Sequence, residues 1–411
     1  MTMASRRSVL AAGAALTSWT GVSHAQGTDT LRIGVLTDMS GPYRDVSGPT
    51  SAACARQAVE DFALLRPDIR AEIVVGDHQN RPDLASAMVR EWFDRRGVDV
   101  IVDVVNTPVA LACNTVAQEK DKIQLNTSAG SSDLTGKYCG PNFVHWTYDT
   151  WCLAHASGTA VVRSGGDDWF FITADYAFGH AAQADTARFV AAAGGRVVGA
   201  ARYPFPSTTD FSSFLLQAQA SRAKVVAFAN AGDDLINCVK QAHEFGLVRR
   251  GVRLVALVGF ITDVKAIGLQ AAQGLTMTET FYWDLNDRTR RFAERVRPKL
   301  AAGVHPNMNH AGAYSAVLHY LKTAAAMGVS EAKASGRATI GMMKRLPTDD
   351  DCFGPGAIRP DGRKVHPAYL LRVKAPAESR EPGDVYRLIE TIPADQAFRP
   401  LDQGGCAFSV R

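Results

Sequence analysis

The sequence predicts an α/β protein of two lobes, each built on a parallel central sheet covered by helices, with the chain crossing between the lobes three times. Three observations predict it. After Thr28, short apolar runs alternate with amphipathic helical stretches, the pattern of parallel strands packed under helices. This alternation forms two similar series that divide near residue 148. Beyond about residue 281 it gives way to long helices and then to a hairpin pattern, so the later chain has to complete each half in turn. Several crossings between two bodies make a hinge with a cleft.

The elements follow in order. "LRIGVLTDM" (Leu31 to Met39) reads as the first strand, followed by a helix over about 50–65, the strand "AEIVVGD", a helix from Pro82 to Arg95, the strand "VDVIVDVV", a helix from Pro108, and the strand "KIQLN". Thr107 is predicted to cap the third helix, with proline at its first position. The second series reads "DWFFITAD", a helix after Gly179, "GRVVGAARY", a helix over 211–221, "AKVVAFAN", a helix over 233–245, and "VRLVALVG". Helices are then predicted over about 287–300, 309–327 and 331–344, completing the first lobe. "IRPDGRKVHPAYLLRVK" reads as a hairpin around Asp361-Gly362 added to the second lobe. The expected division is a leader over 1–25, a first lobe over 29–147 and 281–346, and a second over 148–280 and 347–411.

The leader carries twin arginines, Arg6 and Arg7, ahead of a short apolar run, then Ser23-His24-Ala25 as a small-x-small cleavage site. A twin-arginine export signal and a bacterial periplasmic location are expected. No other run approaches a membrane-spanning length, so the mature protein is expected to be soluble. Of 45 Lys and Arg, two lie in the leader, against 41 Asp and Glu, and that near-balance argues against nucleic acid as a partner. The seven cysteines show no C-x-x-C spacing. Cys54, Cys113 and Cys238 fall in helical patterns and read as small buried apolar residues. Cys139 and Cys406, in loop-like stretches flanked by Pro or Gly, are the preferred pair for a bridge.

The segments "LRIGVLTDMSGP", "AGSSDLTGKY", "ITADYAFGH", "DFSSFLLQAQASRAKVV" and "YSAVLHYL", in that order over about Leu31 to Lys374, resemble the periplasmic solute-binding proteins of the branched-chain amino acid type, which feed ABC importers. The resemblance implies the type I periplasmic binding fold, two Rossmann-like lobes that close on a small molecule, permease subunits as partners and a monomer. No cofactor, metal or catalysis is expected. It leaves the ligand open among amino acids, amides and aromatic acids.

Ligands of parallel sheets meet the carboxyl ends of strands. Ser128, Ala129, Gly130 and Ser131 follow such a strand end. Their N–H groups and hydroxyls can approach an anion, and the resemblance implies that this loop takes the ligand carboxylate. A solvated turn of small residues is the plainer alternative. Asn106 and Thr107 end the neighbouring strand, in the position of the family's other polar contact. In "DMSGPYRDVSG", relatives place a tyrosine just before the last glycine, whereas this chain carries Tyr43 and Arg44 earlier; cleft and solvent are equally open to both. Tyr148, Tyr176, Phe178, Phe260 and Tyr282 stand at strand ends or crossings, where rings line pockets, and Asn230 ends a second-lobe strand. Trp283 accompanies Tyr282.

An amino-acid ligand also needs an acid for its ammonium, because a buried unpaired charge is too costly. The resemblance implies such an acid in the loop after Leu254 to Val258. There the chain has Phe260, with Asp263 nearby in a position that also suits a helix cap. Asp149, equally suited to a cap, and Asp175 are the substitutes. With so many rings available, an aromatic or hydrophobic carboxylate is expected over a branched-chain or other amino acid or amide. A receptor sensing domain is the rival from another class, set aside because no membrane segment or output module comes after the last predicted elements. "GSSDLTGKY" imitates a phosphate loop but has five residues between its glycines and Tyr138 where a Ser or Thr would hold magnesium, so nucleotide binding is rejected. His305 and His310 are five apart, out of phase for a metal site on a helix.

Overall fold

The computed structural model describes residues 30–408; the proposed leader lies outside the described residues. Five parallel strands form the first sheet: β1 (Leu31–Thr37), β2 (Ala71–Asp77), β3 (Val100–Asp103), β4 (Ile123–Asn126) and β5 (Phe143–His145), in the order β2-β1-β3-β4-β5. β3, β4 and β5 are buried throughout, and the first two fall within the apolar stretches read as strands. Helices α1 (Gly48–Leu65), α2 (Pro82–Arg95) and α3 (Thr107–Glu119) cover this sheet. Trp92 of α2 packs against it where Gly34 makes room: a Cβ there would come within 2.4 Å of the indole.

The second lobe contains α4 (Thr150–Arg163), β6 (Asp168–Ala174), α5 (Ala177–Ala192), β7 (Arg196–Tyr203), α6 (Ser212–Ala220), β8 (Val225–Ala229), α7 (Asp233–Glu244), β9 (Arg253–Ala256), the short helices α8 (Ile261–Ile267) and α9 (Leu269–Ala272), and β10 (Thr276–Glu279). The later helices are α10 (Asp287–Val296), α11 (Met308–Met327), α12 (Val329–Ala334) and α13 (Gly336–Arg345). α11 packs along α1 and is buried over most of its length, so it shows no polar face. The closing elements are β11 (Ala357–Ile358), β12 (Lys364–Val365), β13 (Ala368–Val373), β14 (Tyr386–Ile392) and α14 (Ala394–Ala397). β13 and β14 join the second sheet antiparallel, giving the order β14-β13-β10-β9-β8-β6-β7.

Four local expectations change. Asn106, not Thr107, caps α3: its side chain accepts the Val109 N–H at 3.3 Å, while Thr107 is already helical. The helix expected over 331–344 is two, broken at Ser335, whose hydroxyl accepts the Ala338 N–H. The hairpin around Asp361-Gly362 exists as β11–β12, but it is a separate two-stranded sheet against β5, where the His145 N–H reaches Gly362 O at 2.9 Å. The strand that extends the second sheet is β13. β5, only three residues long, had no sequence signal of its own.

The connections between the sheets run side by side. Residues 146–149 leave β5 for α4, and Arg363 and His366, ahead of β13, clasp them. Arg363 is fully buried, pairs with Asp149 at 3.4 Å and donates to the Thr147 carbonyl, while His366 Nε2 meets Trp146 O at 3.2 Å. The connection after β10 is held where the Thr280 N–H meets Met308 Sδ at 3.4 Å. The C-terminal segment adds another. Phe398 packs with Cys152 and Ala156 of α4, whereas Arg399 donates to Ser132 O at 2.9 Å and Cys406 is bonded to Cys139 (Cα–Cα 5.7 Å). The anticipated bridge is therefore present. Cys54, Cys113 and Cys238 are buried free thiols on α1, α3 and α7.

Candidate functional site

A narrow cavity opens between the lobes at the carboxyl ends of the strands. Its first-lobe wall begins where β3 turns into α3. Asp103, Val104 and Asn106 all have left-handed backbone, with φ of 81°, 57° and 90°. Such a run is costly away from glycine and is typical of functional sites. It delivers Thr107 to the cavity with its hydroxyl buried and without a hydrogen-bond partner among the described residues.

The loop after β4 contributes Ser128, Ala129 and Gly130. Asn126 Nδ2 holds the Ala129 carbonyl at 2.7 Å, the Tyr148 hydroxyl holds the Ser128 carbonyl at 2.8 Å, and the Ser128 hydroxyl donates to Asp103. The loop is small because rings crowd it: a Cβ on Gly130 would come within 2.7 Å of Tyr148 and 3.0 Å of Phe178. Asn309, in the first turn of α11, completes this side. Its amide nitrogen donates to Val46 O at 3.0 Å, and its oxygen is buried without a partner among the described residues. The helix comes this close because Gly312 lacks a side chain; a Cβ there would lie 2.4 Å from Thr147.

Tyr176, Phe178, Ala231, Val258 and Phe260 form the second-lobe wall. Phe260 meets Tyr148 edge to face at 6.1 Å between centroids. Tyr43 reaches across from the first lobe. Its ring stacks on Phe205 at 5.4 Å, which stacks on Tyr176 at 4.6 Å, and the Tyr43 and Tyr176 hydroxyls are 2.7 Å apart. At the rim, Arg44 pairs with Asp233 at 3.0 Å and the Asp233 N–H reaches Pro42 O at 3.3 Å.

Among the described residues, no Asp, Glu, Lys, Arg or His lines the cavity. Burial pushes the phenols of Tyr43, Tyr148 and Tyr176 upward, so all three stay neutral donors. Among the described residues, too, no group of three or more His, Cys, Asp or Glu side chains is arranged to hold a metal ion, and no helix is long and apolar enough to cross a membrane.

Of the residues anticipated from sequence, Asn106, Thr107, Ser128, Ala129, Tyr148, Tyr176, Phe178 and Phe260 come together here. Five stand elsewhere. Ser131 accepts the Asp133 N–H in a short turn. Asp149 caps α4 through the Cys152 N–H at 2.8 Å and pairs with Arg363. Asn230 is buried against the Cys238 sulfur at 3.3 Å. Asp263 lies behind Phe260, whose N–H its Oδ2 accepts at 3.1 Å, and burial raises its carboxyl well above the usual range. Tyr282 donates to Gly383 O at 2.7 Å within the second lobe. Tyr43 resolves to the cleft and Arg44 to its rim. Asn309, Val46, Val105 and Val258 went unanticipated; only the resemblance in "YSAVLHYL" lay near Asn309, and it did not extend to that position.

A family model described as periplasmic binding protein matches residues 30–379. No curated protein matches the sequence significantly. Among solved structures, a periplasmic binding protein of Burkholderia mallei is 43% identical, with a TM-score of 0.87, covering 93% of this chain and 100% of that one. A branched-chain amino acid ABC transporter periplasmic ligand-binding protein of Burkholderia xenovorans LB400 is 37% identical, with a TM-score of 0.81, covering 92% and 100%. A solute-binding protein of an R. palustris ABC transporter, in complex with 4-hydroxybenzoate, is 23% identical with a TM-score of 0.80, covering 89% and 98%; at that distance the likeness carries the fold alone.

Proposed function

This chain belongs to the periplasmic binding protein family, and from that membership we propose that it captures an aromatic or hydrophobic carboxylate by hinge closure and delivers it to the permease subunits of an ABC importer. Proteins of this kind bind small molecules and serve ABC transporters. The choice of ligand rests on one observation: the cavity combines five aromatic rings with hydroxyl and amide side chains, and among the described residues no charged side chain lines it. The Thr107 hydroxyl, buried without a partner among the described residues, suits a carboxylate oxygen. The rings of Tyr43, Tyr148, Tyr176, Phe178 and Phe260 suit a flat apolar body. An ammonium entering the same space would meet no carboxylate in the cavity wall. The ligand-contacting residues proposed are Thr107, Ser128, Ala129, Tyr148, Tyr176, Phe178, Phe260 and Asn309. The benzoate complexes among distant fold relatives motivate the probe rather than the conclusion.

A branched-chain amino acid is the second reading. It is favoured by the description of the 37% identical relative and by Asp263, whose Oδ1 is buried just behind Phe260 without a partner among the described residues. Calorimetric titration of ligand-free protein decides between them. Binding of benzoate or hydroxybenzoates with no heat from leucine or valine is the expected result; tight leucine binding that is lost in Asp263→Asn would establish the second reading instead. The twin-arginine route to the periplasm is proposed with this function.

A further inference from the structure

Directly behind the loop proposed to hold the ligand carboxylate lies another carboxylate. Asp103, at the end of β3, is fully buried. Its Oδ1 accepts the Thr127 hydroxyl at 3.1 Å and the Ser128 hydroxyl at a shorter distance, while its Oδ2 has no hydrogen-bond partner among the described residues. Hydroxyls face it from each neighbouring element: Thr37 of β1, Ser51 of α1, and Thr127 and Ser128 after β4. The Ser51 hydroxyl is likewise buried without a partner among the described residues. The titratable groups facing it are the Cys54 thiol of α1 and the phenol of Tyr148, both kept neutral by burial. Asp103 thus has donors to hold it in place and, among the described residues, no cation to balance it.

This arrangement constrains Ser128, which has a single proton. While Asp103 is ionised, that proton points backward, and the hydroxyl presents only lone pairs to an incoming anion. Two carboxylates bridged by one hydroxyl also repel, and like charges this close are not ionised together without penalty.

We propose that Asp103 is a positioning residue that takes up one proton as a carboxylate ligand enters, and so turns the Ser128 hydroxyl toward the ligand. The proton comes from solvent. Protonated Asp103 donates to Ser128 Oγ, and Ser128 in turn donates to a ligand oxygen. Anion and proton enter together, so the buried site gains no net charge. Burial, the largest influence on Asp103, already raises its carboxyl above the usual range, which favours this step. The inference rests on the carboxylate reading above and adds a proton to it. Because the complex binds one more proton than the free protein, affinity falls as pH rises above the point where free Asp103 ionises.

The test is calorimetry of the full mature chain with benzoate from about pH 5 to 9, in pairs of buffers of different ionisation enthalpy. The expected result is uptake approaching one proton per benzoate, with Kd rising by up to about tenfold per pH unit in the upper part of the range. In Asp103→Asn, both the uptake and the pH dependence should vanish. Benzoate binding without proton uptake, or uptake that persists in the Asn variant, overturns the proton step and leaves the carboxylate reading standing. Failure of benzoate and hydroxybenzoates to bind at every pH overturns both. Should Asp103→Asn not fold, benzoate-induced infrared difference spectra of the native protein replace it: a new protonated-carboxyl band at high pH is expected, and its absence overturns the proposal.

Discussion

Tyr43→Phe, Tyr176→Phe and the double variant test whether the hydroxyl pair across the cleft holds the lobes together. The two hydroxyls are 2.7 Å apart and Tyr43 is almost wholly buried. Each Phe keeps the stack on Phe205, so the perturbation is confined to the hydrogen bond. In a single variant the remaining hydroxyl is desolvated on closure without a partner, at a cost of about 1–2 kcal/mol. That is roughly a five- to thirtyfold loss of apparent affinity, because ligand binding draws on the closed population. In the double variant no hydroxyl is stranded, so it should bind little worse than either single one, giving a coupling of about 1 kcal/mol. Benzoate calorimetry on the four proteins measures the cycle, and small-angle scattering checks for the compaction expected on binding. Additivity within about 0.3 kcal/mol, or an unchanged radius of gyration on saturation, would refute the reasoning.

Three further outcomes are expected. Arg363→Leu strands the buried Asp149 carboxylate and should cost about 3–5 kcal/mol in urea unfolding; adding Asp149→Ser, which still caps α4, should recover part of that. His78, His310 and His319 are held neutral by burial, at about 4, 3 and 4, while the unfolded chain takes up protons near about 6.5. The stability they allow is complete above about pH 6.5 and is lost as pH falls toward 4, by up to about 1.4 kcal/mol per histidine per unit; a melting temperature no lower at pH 5 than at pH 7 would contradict this. Arg6→Lys with Arg7→Lys should keep the protein in the cytoplasm, as read by cell fractionation; normal periplasmic accumulation would remove the export assignment.

The parallel strands were legible because burial on both faces writes them as unbroken apolar runs, as in "VVAFA" of β8. Gly130 was legible as part of an open loop, although its reason, the two rings pressed against it, was not. Residues with two local explanations misled. Asp149 and Asp263 both suited a ligand or a helix start, and both turn out to serve helix starts. Asn309 erred the other way: a polar residue opening a helix looks like part of a cap, and only the packing of α11 against the loop at Val46 shows its unpaired oxygen. Asn106 takes the cap expected of Thr107 because the left-handed turn at Asn106 shifts the helix start by one residue. Arg363 and His366 carried no local signal, since the chain that surrounds them is remote in sequence.

The C-terminal segment also bears on how the lobes can move. Phe398 belongs to the core beneath α4, while Arg399, the next residue, is fastened to Ser132, and the Cys139–Cys406 bond secures the chain beyond it. A door hung on one pin can swing and also twist; one hung on a row of pins can only swing. Here the row includes the turn at Phe398–Arg399, beside the run 146–149 and the clasp of Arg363, whose guanidinium sits 4.4 Å over the Phe398 ring. Any opening therefore has to be absorbed in the backbone angles of a few adjacent residues, among them Pro400, whose ring already fixes one of them. Under the hinge closure proposed above, the lobes are expected to have one direction of travel, which would bring Tyr43 back to Tyr176 on closing.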